Sequence, residues 1–206
     1  MPIFTQGDNS CYFIHIPRTG GRYVSSLFKN SDNVECKYSE IDTERFEGID
    51  STHLHYPLYN QYLGVESIPH IAIVRNPCKK FGSSIRNMHY MFGVNYNELL
   101  LEYSSFNEFV ENEINDSSKH NNWFLPQHKF ISSKTNIWKY EWGFGKRFKE
   151  WVRKKTKINI SLNDVSYQRF NNEVDSKFHC YELNNRVKWN IRRYYKKDYK
   201  MFRYFL

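Results

Sequence analysis

Glycine, proline and cysteine are scarce in this chain, and no long apolar run occurs in it. Nine glycines and six prolines in 206 residues leave no linker rich in Pro, Gly or Ser and no low-complexity tract, and no repeat of 20 to 50 residues is visible. The four cysteines, Cys11, Cys36, Cys78 and Cys180, are scattered without a C-x-x-C pair, so neither a zinc knuckle nor a disulfide framework is indicated and reduced thiols are expected. No window approaches the roughly 18 to 20 apolar residues of a membrane span. The opening MPIFTQGDNS lacks a basic segment followed by an apolar one, so no leader is expected and the cytoplasm is the expected compartment. On that expectation the N-x-S/T sequons at Asn115 and Asn159 carry no functional weight. The chain also has no G-x-x-x-x-G-K-[ST], which disfavours a nucleoside triphosphatase, and no H-E-x-x-H or clustered carboxylate motif that would call for a metal.

What is present suffices for a core. Hydrophobic residues make up 40% and aromatic residues 18% of the sequence, which excludes wholesale disorder. A length of 206 residues fits one domain and would cramp two. Thirty Lys and Arg against 22 Asp and Glu give a net charge of +8, which favours an anionic partner without choosing among nucleic acid, nucleotide, acidic glycan and membrane surface.

The chain reads as strands alternating with helices. CYFIHI at 11–16 is short, aromatic and β-branched, and is closed by Pro17, as a buried strand would be. The glycine turn PRTGG comes next, and then RYVSSLFKN with Tyr23, Val24, Leu27 and Phe28 at helical spacing. Residues 68–74 form a second strand, after which Asn76 as cap and Pro77 at the first position start a helix to about residue 91. STHLHY at 51–56 has the alternation of a short strand or strand end, with His53 and His55 on one face. Helical patterns occupy YNELLLEY and FNEFVENEI, NIWKY at 136–140 reads as a strand, 146–155 as a basic amphipathic helix, and Val187, Ile191, Tyr194, Tyr195 and Phe202 keep helical spacing in the tail. The expectation is a single α/β domain with a mainly parallel sheet flanked by helices.

Two segments carry chemistry. His15-Ile16-Pro17-Arg18-Thr19-Gly20-Gly21-Arg22-Tyr23 is a glycine turn between strand and helix. Such a turn presents backbone N–H groups at the positive end of a helix, and glycines without Cβ let a phosphate approach the backbone. The alternative is a turn that needs glycine only for positive φ. The second segment runs from Arg75 to Ser84 (RNPCKKFGSS). An arginine at the C-terminal edge of a parallel strand enters the crevice where open α/β sheets bind ligands, and a serine two turns into the next helix can donate to the same anion. A capped helix with a surface arginine is the plainer reading.

In combination, H-x-P-[KR]-T-G-G followed about sixty residues later by I-V-R-[DN]-P-x-x-[KR]-F-x-S-S resembles the sulfotransferases that use 3'-phosphoadenosine 5'-phosphosulfate (PAPS), in particular the carbohydrate branch with the heparan sulfate 2-O- and chondroitin sulfotransferases. WFLPQHKFI at 123–131, IWKYE at 137–141 and YYKKDYKMF at 194–202 are similar in order and spacing to later blocks of that branch. The resemblance implies a P-loop NTPase-like sulfotransferase fold related to nucleotide kinases. It implies that the backbone of Thr19, Gly20, Gly21, Arg22 and Tyr23 holds the 5'-phosphosulfate, with Arg18 beside it, and that Arg75 and Ser83 hold the 3'-phosphate that distinguishes PAPS from ATP. It further implies His53 as general base, with His55 in reserve, and a hydroxylated, glycan-type acceptor. Sulfuryl transfer needs a base for the attacking hydroxyl and a cation beside the leaving phosphate oxygen, and arginine with backbone amides supplies that field with no metal.

The chain departs from the family in carrying Arg18 for the usual lysine, Arg22 for Thr or Ser, and Asn76 for aspartate. Arg18 keeps its proton, so it suits electrostatic stabilisation rather than proton donation. The alternatives are an inactive protein of the same fold that binds PAPS or its 3',5'-bisphosphate product, and a basic nucleic-acid-binding protein. The latter does not account for the ordered pair of motifs, so no nucleic-acid partner is expected. His53 and His55 have a plainer reading as packed histidines bonded to backbone carbonyls. The basic run from Lys146 to Lys157 reads as a solvated face or as an attractor of an acidic acceptor.

Overall fold

The computed structural model describes residues 2–38, 45–46, 49–50, 53–92, 100–115, 122–162 and 183–205. They fall into two compact units, one of residues 1–75 and 129–165, the other of 76–128 and 166–206. The first is a mixed α/β layer structure. Its described elements are strands β1 (Ile3–Gln6), β2 (Asn9–Ile14), helix α1 (Gly21–Lys29), β3 (Glu35–Lys37), β4 (Arg45–Phe46), β5 (Ile49–Asp50), helix α2 (Leu58–Leu63), β6 (His70–Val74), β7 (Asn136–Lys139) and helix α5 (Lys146–Thr156). The second unit carries α3 (Pro77–Phe92), α4 (Tyr103–Asn115), α6 (Asn185–Tyr194) and α7 (Lys196–Met201).

Five strands form one sheet in the order β3-β1-β2-β6-β7, and β4 pairs with β5 separately. The sheet is mixed rather than mainly parallel. β2 pairs in parallel with β6, and β6 with β7, whereas β1 is antiparallel to both β2 and β3. The antiparallel half comes from the opening residues, in which Gly7 at φ 57° lets a two-residue turn fold β1 onto β2. Alternation along the strands gives each sheet face its own set of side chains. Phe4, Cys11, Phe13, Ile71, Ile73 and Trp138 meet Val24, Leu27 and Phe28 of α1 and Phe148 and Val152 of α5, with Phe4 stacked on Phe28 at 4.2 Å. On the other face Tyr12 lies 5.0 Å from Tyr59 of α2 and 5.4 Å from His70.

Two further expectations are corrected. Within STHLHY, residues 51 and 52 lie outside the described residues, and the described part, 53–56, holds no strand: His53 is in helical-turn conformation and 54–55 are irregular. Leu54 is fully buried there without any ladder, so the alternation reports burial of one leucine. In YNELLLEY, residues 100–102 are turn and α4 starts at Tyr103, with 96–99 outside the described residues. The Asn190 amide donates to the carbonyls of Leu100 and Leu101 at 3.1 and 3.2 Å, and the Glu102 carbonyl accepts from the Phe106 amide. The tail is helical, as its spacing indicates, in two helices that meet at Tyr195. The expected cap is present: Asn76 Oδ1 accepts from the amides of Cys78 and Lys79 at 3.0 and 3.3 Å. Cys11, Cys36 and Cys78 are free thiols, and Cys180 lies outside the described residues. No described helix is long and apolar enough to cross a membrane.

The second unit builds its own core from Phe81, Ile85, Phe106, Phe109, Phe124 and Tyr195 among others. Its polar centre is Asp198, which is fully buried. The carboxylate accepts from the amides of Gln127 and His128 at 2.8 and 3.0 Å and lies 2.6 Å from His128 Nδ1. From another side Lys80 Nζ donates to the carbonyls of Trp123 and Leu125, and Tyr195 donates to that of Phe124. Two sequence blocks 70 residues apart are thus one bonded assembly. Truncation of Asp198 leaves three donors without their acceptor, so Asp198→Ala is expected to cost about 3 to 5 kcal/mol. Urea unfolding measures this, and a loss below about 1 kcal/mol contradicts the assignment.

Candidate functional site

Parallel pairing of β2, β6 and β7 sets their C-terminal ends side by side, with Ile14 opposite Ala72 and Val74 opposite Lys139. The residues that leave those ends are the ones the sequence singled out. β2 runs into the turn 15–20, Arg75 directly follows β6, and Tyr140 directly follows β7.

The turn is closed from within. Thr19 is fully buried, and its Oγ1 donates to the Ile16 carbonyl at 2.8 Å. Arg18 and Gly20 both take positive φ, 64° and 91°, which is costly for arginine and free for glycine. The sharp reversal lets α1 begin at once, its first backbone bond running from the Val24 amide to the Gly20 carbonyl at 3.1 Å. Helix geometry aims the amides of the first turn back toward residues 18–20. Gly20, the residue before the helix, has no side chain with which to cap it, and the first turn of α1 holds no acidic residue to meet the positive pole of the dipole.

Glycine is required here by side-chain packing as well as by φ. A Cβ on Gly21 would stand 1.8 Å from His15 Cδ2, and one on Gly20 would stand 3.0 Å from Tyr140 Cε2. The His15 imidazole therefore occupies the space beside Gly21. His53 packs on it, ring centroids 4.9 Å apart, which brings that histidine to the turn although it is 38 positions away in sequence. Arg75, half-buried, donates from Nη1 to the Arg18 carbonyl at 3.1 Å. Its guanidinium also lies over the Tyr140 ring, Cζ 4.5 Å from the centroid.

The structure thus gathers Arg18, Thr19, Gly20, Gly21, His53 and Arg75 at one edge of the sheet, with Arg22 exposed and Tyr23 half-buried on the first turn of α1. His55 lies two residues beyond His53. Burial, reinforced by the nearby charge of Lys129, holds its pKa below the ordinary histidine value, so it is neutral near pH 7 and able to accept a proton. Ser83 belongs to the second unit, where it is buried on α3 next to Ser84, whose hydroxyl donates to the carbonyls of Lys80 and Trp123.

Sequence reasoning missed Tyr140 as a member of this edge. Its signal was available: a residue directly after a parallel strand that neighbours β6 stands beside Arg75. It also missed the pairing of His128 with Asp198, which no local pattern announces. Comparison with protein-family models, curated proteins and solved structures finds no match for this chain.

The packing of this edge yields two expected outcomes. Gly21→Ala is expected to destabilise the fold by about 3 kcal/mol through the clash with His15, in spite of alanine's better helix propensity. In the double variant His15→Ala/Gly21→Ala that cost is expected to shrink by more than about 1 kcal/mol, and strict additivity in thermal unfolding would remove His15 as the cause. The second concerns pH. His55 and His70 both have pKa values lowered chiefly by burial. The unfolded chain therefore binds protons first as pH falls, and the stability these residues contribute is complete above the ordinary histidine value of about 6.5 and declines below it, through the folded values. Unfolding free energy measured between pH 8 and 5 is expected to fall, and His70→Phe is expected to flatten the slope.

Proposed function

We propose that this protein transfers a sulfuryl group from PAPS to a hydroxyl of a carbohydrate or other hydroxylated acceptor, on a P-loop-like sulfotransferase fold. The observation that carries the reading is the arrangement of the turn and Arg75. A glycine turn that opens a helix, and an arginine at the end of the adjacent parallel strand, are joined by the 3.1 Å bond from Arg75 Nη1 to the Arg18 carbonyl. Such a pair is chemically suited to a ligand with more than one anionic group.

In this reading the first-turn amides of α1 and the Arg18 cation surround the 5'-phosphosulfate. The acceptor oxygen attacks sulfur in line, the bond from sulfur to the phosphate oxygen breaks, and adenosine 3',5'-bisphosphate leaves with the bonding pair. The negative charge that grows on the leaving oxygen is stabilised by Arg18 and the helix pole. The acceptor's proton goes to His53, or to His55, which is held neutral. Arg75 recognises the 3'-phosphate. A second reading, nucleotide binding without transfer, is favoured by Arg18 itself, because a guanidinium does not release a proton to the leaving oxygen.

Thermal unfolding with adenosine 3',5'-bisphosphate, 5'-AMP and ATP at equal concentration and two salt levels tests the donor site. At about 100 times its Kd the 3'-phosphorylated nucleotide is expected to add about 2.7 kcal/mol, a rise of roughly 5 to 10 °C in Tm, and Arg75→Ala is expected to abolish it. Equal effects of all three nucleotides, or none, would refute the reading. With labelled PAPS and a panel of sugars, His53→Ala is expected to lower kcat by about 100-fold or more, and Arg18→Lys to raise it. Full nucleotide binding with no transfer to any acceptor selects the second reading.

A further inference from the structure

Tyr140 touches both halves of the proposed donor site. Its edge lies against Gly20, where an added Cβ would come within 3.0 and 3.1 Å of Cε2 and Cδ2. Its face lies under the Arg75 guanidinium at 4.5 Å. The ring is itself fixed. Phe144 meets it edge-on at 5.6 Å and reaches the same side of Gly20, at 3.4 Å from the added Cβ. Trp138, buried in the core, donates from its indole N–H to the Gly143 carbonyl at 2.9 Å and so folds residues 140–143 back on the end of β7.

We infer that Tyr140 is a positioning residue that holds Arg75 and the glycine turn in a single anion receptor, and so sets the preference for a ligand with a second anionic group. The inference rests on the donor-site reading proposed for this edge. Physically, a guanidinium stacked on a ring uses its face and leaves its N–H groups in the plane, directed outward at the edge. One N–H donor of Arg75 already reaches the Arg18 carbonyl, so this bond and the ring beneath Cζ together restrict where the guanidinium meets an anion near the turn. Without the ring, the side chain regains rotamer freedom that binding must then remove. The ring's contact with Gly20 also makes the turn and the arginine move as one piece.

The test compares the wild-type chain with Tyr140→Phe, which keeps the ring, and with Tyr140→Leu and Tyr140→Met, which remove it. Folding is checked by circular dichroism, and binding of adenosine 3',5'-bisphosphate, 5'-AMP and inorganic pyrophosphate is measured by calorimetry. Tyr140→Phe is expected to stay within about twofold of wild type, while the ring-less variants lose about tenfold or more of the preference for the bisphosphate over 5'-AMP. Ring-less variants that fold and keep the preference overturn the inference. If wild type shows no preference among nucleotides, the donor-site reading fails, and pyrophosphate then decides. About tenfold weaker pyrophosphate binding in the ring-less variants alone still supports positioning, whereas equal binding, or none in wild type, overturns it. Should neither ring-less variant fold, the Arg75 Cδ protons in wild-type NMR spectra decide: an upfield ring-current shift supports the stacking, and its absence overturns it.

Discussion

Parallel pairing of β2 with β6 and of β6 with β7 is the constraint from which the candidate site arises. Three strands that run the same way, hydrogen-bonded in fixed register, must release their chains at one edge. The segment that leaves each strand is therefore set beside the segments that leave the other two. The turn 15–20, Arg75 and Tyr140 come from three distant parts of the sequence, and the ladder alone makes them adjacent. The apolar face of the same strands, packed against α1 and α5, fixes that register, since a slip by one residue would exchange Phe13 and Ile73 for Tyr12 and Ala72 on the covered face.

At that edge the chemistry depends on a tight stack of rings and glycines. Positive φ at Arg18 and Gly20 turns the chain sharply enough for α1 to start at Gly21. The rings of His15 and Tyr140 occupy the sides of Gly21 and Gly20 where side chains would otherwise stand. His53 leans on one of those rings and Arg75 on the other. A base candidate and a cation are thereby set on either side of a helix N-terminus, each held by a ring that is itself held by a glycine.

Much of this could be read from the sequence because the informative elements have hard boundaries. β2 spans Asn9–Ile14 where a strand to residue 16 was read, the next helix begins at a glycine, and Asn76 with Pro77 marks the start of α3 through a side-chain cap. β1 and β3 were not legible. Only Phe4 of β1 is buried, and β3 is largely exposed, so neither offers the alternation of a half-buried strand, and the sheet was read as mainly parallel. STHLHY misled for the opposite reason, since its alternation is present but its described residues, 53–56, join no ladder. The role of the glycines was legible only in part: sequence shows that space is required at Gly20 and Gly21, but the groups that fill it, His15 and Tyr140, are brought there in three dimensions. The signal for Tyr140 was its place directly after a strand, and it gains meaning only once β7 is known to pair with β6.

The central claim is that this edge of the sheet is the receptor for a 3'-phosphorylated nucleotide. Backbone amide NMR during a titration with adenosine 3',5'-bisphosphate tests it most directly, because each amide reports on its own surroundings. Saturable shifts are expected at the amides of Thr19, Gly20, Gly21, Arg22 and Tyr23 and at Arg75, with 5'-AMP reproducing them weakly. Shifts confined to the basic surface of α5, growing without saturation and vanishing with added salt, would contradict the claim and leave the positive charge as a diffuse attraction for anions.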